Sequence, residues 1–213
     1  MASWHLTHAY ATVNLLRAGA AAVIELNRPE SLNAWNDQLG VDLRAAIQRV
    51  ASDEDVRAVL LRGTGRGFSS GADLREALNP TAEQRPEVYR ILTEWYNPII
   101  VGVRRMPKPV VAGVHGAAVG IGCSLALASD FIIAAESAYF LLAFVNIGLA
   151  PDGGACALLA ARVGAARAAE MAMLGERVPA GQSAAVGPDQ QGGPRHRIQR
   201  TIRGVGPAAP PAG

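Results

Sequence analysis

The alternation of apolar and polar positions predicts strands and helices in turn along most of the chain. Residues 10–16 and 20–27 carry the β-branched and apolar residues of two strands, with Arg17-Ala18-Gly19 as the hairpin turn. Asn36 is placed to cap a helix in which Leu39, Leu43, Ile47 and Val50 recur every three or four positions. A short buried strand follows at 56–61, and a short helix is expected at 74–78. Residues 84–106 hold a long helical pattern with Tyr89, Leu92, Trp95 and Tyr96 near one face, which Pro98 should kink or divide. The chain is organised around 110–127: a β-branched strand, a turn through Gly116, Gly120 and Gly122, and an apolar helix from Ser124. Strands at 131–135 and 138–142 and helices at 155–163 and 166–174 complete the pattern.

Beyond residue 182 the periodicity stops. Residues 183–213 hold six glycines, five prolines and scattered arginines, too little apolar surface to offset chain entropy. The expected division is a core over 1–182 and a low-complexity, disordered tail over 183–213. Composition changes the picture little. Half of the 213 residues are hydrophobic, enough for one sizeable core. The net charge of +2 resides in the tail, since 1–182 holds 16 basic and 17 acidic residues. That distribution leaves no basic face for nucleic acid. Cys123 and Cys156 make no disulfide framework. The longest apolar region, 131–150, is interrupted by Glu136, Ser137 and Asn146, so no membrane span is expected and a cytoplasmic location is the default.

Candidate chemistry centres on the glycine turn. Amides at a helix start lack intrahelical partners, and glycine lets a ligand approach the backbone, so this turn can form an anion or oxyanion site as well as a packing turn. Gly67-Phe-Ser-Ser-Gly71 matches the G-x-S-x-G nucleophile elbow, but the only histidine after Asp130 is His196 in the tail, which disfavours a serine hydrolase. The loop is better read as a second source of a backbone donor, near Ala72. Asp152, between Pro151 and Gly153-Gly154, is either a turn residue or a catalytic acid. Cys123 reads as a packing cysteine, and His115 as structural. No Cys/His set has metal-ligand spacing.

Five stretches in register give the sequence a family resemblance: L-N-R-P-E-S-L-N-A from Leu26, R-G-F-S-S-G-A-D-L from Arg66, K-P-V-V-A-G-V-H-G-A-A-V-G-I-G-C from Lys108, A-S-D-F-I-I-A from Ala128 and I-G-L-A-P-D-G-G from Ile147. Over about residues 8–182 the chain resembles the enoyl-CoA hydratase/isomerase (crotonase) family. The resemblance implies an α/β fold, a spiral of β-β-α repeats in two roughly perpendicular sheets flanked by helices. It implies an acyl-CoA thioester as substrate, no separate cofactor, and assembly as a homotrimer or hexamer. It assigns the oxyanion-hole amides to Ala72 and Ile121, and contacts to substrate and CoA to Ala72, Asp73, Leu74, Arg75 and Gly120. Ser124 and Phe144 stand where hydratases of the family carry glutamates, whereas Asp152 matches an acid of its isomerase-like members. The expectation is therefore isomerase-type proton shuttling by Asp152 through a thioester enolate, with fatty-acid metabolism as the setting that the resemblance implies. Its alternatives are a hydratase by family label, a non-catalytic acyl-CoA-binding protein, and a degenerate, truncated or frame-shifted homologue.

Overall fold

A computed structural model of the chain describes residues 3–74 and 89–183. The predicted tail from 184 on, most of the short helix at 74–78 and the first turn of the 84–106 helix lie outside the described residues.

Among the described residues, β1 (His5–Ala9), β2 (Val13–Ala18), β3 (Ala21–Leu26), β4 (Ala58–Gly63), β5 (Val110–Val114) and β7 (Phe131–Ala134) form one sheet in the order β1-β2-β3-β4-β5-β7. The first three strands pair antiparallel, and β3, β4, β5 and β7 pair parallel. Register carries one apolar row across the sheet, Leu15 opposite Ile24, Ile24 opposite Leu61, Leu61 opposite Ala112, and Ala112 opposite Ile132. A second sheet holds β6 (Ala117–Val119), β8 (Tyr139–Leu141) and β9 (Val178–Pro179) in the order β6-β8-β9.

Helix α1 (Asp37–Ser52) starts where predicted, with the Asn36 side chain accepting from the Leu39 amide at 3.0 Å. Its buried stripe includes Leu39, Leu43, Ile47 and Val50, as the periodicity requires. At its far end Lys108 Nζ donates to the carbonyl of Val50 at 2.6 Å and to that of Asp53, two acceptors the helix leaves open. Helix α2 (Asn97–Arg104) packs on α1, and α3 (Ile121–Ala128) packs on α2 and on α4 (Ala155–Val163). Every residue of α3 is buried, which is why its sequence is apolar on all sides. Arg162 on α4 donates to the Leu127 carbonyl at 3.1 Å and to that of Ser129, closing the end of α3. Two further helices, α5 (Ala165–Leu174) and α6 (Ala180–Ser183), lead to the end of the described chain.

Three expectations are corrected. Residues 10–12 are a turn rather than the start of β2, because the Tyr10 amide donates back to the Val13 carbonyl at 2.8 Å. The strand β1 precedes that turn, unpredicted because its residues are mostly exposed and show no buried alternation. Pro98 does not divide its helix. The preceding turn, Leu92–Tyr96, widens so that the Asn97 amide bonds the Leu92 carbonyl five residues back, and the backbone stays helical through Asn97. A π-turn accommodates proline's missing donor without a break.

Candidate functional site

The site lies where the segment after β4 meets the junction of β6 and α3. Trp35 anchors the first segment: its amide donates to the Gly71 carbonyl at 2.7 Å, and its carbonyl accepts from the Asp73 amide at 2.9 Å. Trp35 thus bonds the residues on either side of Ala72, and in an extended segment the N–H of Ala72 must then point away from Trp35. On the second segment the Gly120 amide is tied to the Leu141 carbonyl at 2.9 Å, and Ile121 begins α3. Neither the Ala72 nor the Ile121 amide donates to an acceptor among the described residues.

Glycine is required at the contact. Gly71 has φ +89°, and a Cβ there would meet the Val119 carbonyl oxygen at 2.8 Å. Gly120, with φ +52°, faces it, so that a Cβ on Gly120 would lie 3.9 Å from Gly71 Cα. The same Cβ would lie 3.9 Å from the Phe144 ring, an apolar wall at this point.

Asp152 reaches the site from the turn before α4. Gly153, at φ +56°, packs so tightly that a Cβ would stand 2.5 Å from Ile121 Cδ1, and the Ser124 hydroxyl donates to the Asp152 carbonyl at 3.2 Å. The carboxylate is left with one oxygen, Oδ1, buried and without a hydrogen-bond partner among the described residues. Burial pushes its pKa up to about 6. Burial also raises the phenol of Tyr96 above its usual range, with the Asp152 charge adding to the effect. Tyr96 meets Trp35 edge-on, ring centroids 5.3 Å apart, so one aromatic pair backs the Ala72 segment while feeling the Asp152 charge.

The remaining sequence candidates divide. Ser124 is wholly buried, and among the described residues its hydroxyl donates only to backbone carbonyls, those of Gly120 and Asp152. Asp73, expected at CoA, has its carboxylate engaged by Arg28 at 3.1 Å, and the same guanidinium nitrogen donates to the Ala34 carbonyl at 2.5 Å. Its side chain braces the Ala72 segment. Leu74 is exposed, and Arg75 lies outside the described residues. His115 Nε2 contacts the Gly65 carbonyl at 3.0 Å, and the buried Cys123 thiol is pushed up to about 12, far from a reactive thiolate. The nucleophile-elbow reading fails on geometry, because Ser69 is fully buried with its hydroxyl donating to the Asn33 carbonyl at 2.9 Å. The Ser70 hydroxyl likewise donates to the Ser31 carbonyl at 3.1 Å.

Two amides from separate segments that meet no acceptor among the described residues, with a buried carboxyl on the turn packed against Ile121, make a site suited to stabilising an anion near a proton-transfer group. Residues 17–205 match the enoyl-CoA hydratase/isomerase family, and the chain belongs to that family. It is 41% identical over 161 residues to the 1,2-epoxyphenylacetyl-CoA isomerase of Escherichia coli, an alignment spanning 75% of this chain and 61% of that protein. It is 37% identical over 159 residues to a trans-2-decenoyl-acyl-carrier-protein isomerase of Streptococcus mutans, spanning 75% of this chain and 60% of that one. Among solved structures, an enoyl-CoA hydratase from Mycobacterium avium subsp. paratuberculosis superposes with a TM-score of 0.74 at 40% identity, covering 84% of this chain and 67% of that one. The fold is the crotonase fold. The chain spans under two thirds of the length of both isomerases.

Proposed function

We propose that the chain acts on acyl thioesters of coenzyme A and isomerises them by proton transfer. On an unsaturated acyl group, Asp152 removes a proton from the carbon between the carbonyl and the double bond, the Ala72 and Ile121 amides hold the oxygen of the resulting dienolate, and Asp152 returns the proton to the far carbon as the double bond shifts into conjugation. The observation that carries this reading is the buried Oδ1 of Asp152, which has no hydrogen-bond partner among the described residues. A carboxyl with a pKa of about 6 is mostly ionised at neutral pH yet more basic than an exposed aspartate, which suits both halves of the transfer. Two amides aimed at the charge that forms in the transition state are worth about a hundredfold or more in rate.

Hydration fits the side chains less well. It needs an acid–base pair to activate water, and Ser124 and Phe144 supply none at the two positions concerned. Two relatives are named as isomerases, and others as probable enoyl-CoA hydratases, so the residues at 124, 144 and 152 carry the choice. The exposed apolar side chains Ile147, Leu149, Met173 and Leu174 are what assembly into a trimer or hexamer would cover. Asp152→Asn is expected to abolish turnover of an unsaturated acyl-CoA while leaving binding of the thioester within about threefold, since the amide is isosteric. Unchanged turnover would overturn the assignment. Binding without turnover in the unaltered protein would instead identify a non-catalytic acyl-CoA-binding protein.

A further inference from the structure

Ser69 belongs to the formal nucleophile elbow, yet the chemistry above leaves it unused. Its surroundings are unusual. The residue is fully buried, and each of its polar groups engages a different part of the site. Its hydroxyl donates to the Asn33 carbonyl at 2.9 Å, two residues before the Trp35 that fixes Ala72, and accepts from the Gly71 amide at 3.3 Å. Its own amide donates to the Ala117 carbonyl at 2.8 Å, and its carbonyl accepts from the Val119 amide at 2.9 Å. Its Cβ and Oγ lie against Gly122, where an added Cβ would come within 2.6 Å of both. One residue, through its side chain and its own N–H and C=O, therefore touches the residue before Ala72, the strand before Gly120 and the residue after Ile121.

We infer that Ser69 is a positioning residue that sets the spacing and direction of the Ala72 and Ile121 amides relative to each other. The inference rests on the oxyanion reading of those two amides and adds what holds them in register. Each donor alone is a loop feature: the Trp35 bonds orient Ala72, and the start of α3 orients Ile121. Only a group bonded to both segments fixes the distance between them. Removing the hydroxyl leaves the Gly71 amide and the Asn33 carbonyl to rearrange, and a displacement of about 1 Å at a reacting centre can cost about a hundredfold in rate.

The test compares Ser69→Ala with Ser129→Ala, which removes an equally buried hydroxyl whose one bond among the described residues, to the Leu125 carbonyl, lies outside the site. Two readouts are taken on the full chain. The first is the amide resonances of Ala72 and Ile121 in ligand-free protein. The second is the ratio of affinities for acetoacetyl-CoA, which presents an enolate-like oxygen, and butyryl-CoA, which does not. In Ser69→Ala both resonances are expected to move together and the preference for acetoacetyl-CoA to fall at least tenfold; in Ser129→Ala neither changes. Resonances at their original positions, or a preference retained in Ser69→Ala, overturn the assignment. A wild-type protein with no preference overturns the oxyanion reading itself, which separates the two failures. If Ser69→Ala does not fold, Ser69→Cys gives the same two readouts, because the larger sulfur must press on Gly122 and displace both segments.

Discussion

Asp152 shows what placing a titratable group in a site does to the protein around it. Its folded pKa of about 6 lies above the ordinary 3.8, so the folded state binds more protons than the unfolded state between these values. Stability therefore falls as pH rises from about 4 to about 6 and stays reduced above. Asp152→Asn should raise the melting midpoint at pH 7.5, by roughly 1–3 kcal/mol of stability, and the gain should vanish as the pH approaches 4. Melts of both proteins across that range check the sign; a gain that grows toward low pH would contradict it. Turnover should show the complementary behaviour, with an acidic limb near pH 6 as the carboxylate is protonated. The sequence showed this aspartate as a turn residue that matches a family acid. Its buried oxygen was not legible, because that depends on Gly153 packing against Ile121 from a distant part of the chain. Asp73 is the opposite case. The motif suggested a ligand contact, and only the fold reveals Arg28 on its carboxylate.

At the scale of elements, the strand, glycine turn and helix of β5 and α3 were legible from β-branched residues, glycines and an apolar run. The three-residue β6 was not, since its pairing with β8 and its bonds to Ser69 come from elsewhere in the chain. Sequence periodicity likewise missed β1, an exposed edge, and read Pro98 as a break where a widened turn absorbs it. Gly120 is a case where backbone conformation rather than space decides. A Cβ there meets nothing closer than 3.9 Å, yet φ +52° with ψ −124° is a conformation for glycine. Gly120→Ala is expected to destabilise the fold by about 1–3 kcal/mol without overpacking and to tilt the Ile121 amide. Denaturant titration gives the first and loss of acetoacetyl-CoA affinity the second. A variant as stable and as tightly binding as the original would show that the turn tolerates a side chain.

For the whole molecule, the site is a product of long-range pairing, since Ala72 follows β4 of the first sheet and Ile121 follows β6 of the second. A ligand that binds only the assembled site must stabilise the folded state. Acetoacetyl-CoA at a hundred times its dissociation constant adds about 2.7 kcal/mol, or about 5–10 °C in midpoint for a chain of this size. A cooperative melt with no shift would mean a folded body lacking the proposed pocket. The sheet order also has a consequence during synthesis. Strand β4 is central, paired on one side with β3 and on the other with β5, and residues 64–109 separate β4 from β5 in the chain. At the usual speed of translation, roughly 2–9 s pass before β5 can follow β4 out of the ribosome. Through that interval the nascent chain offers an unpaired strand edge bearing Val59 and Leu61 to any neighbouring chain, so a chaperone that shields strand edges should raise its soluble yield.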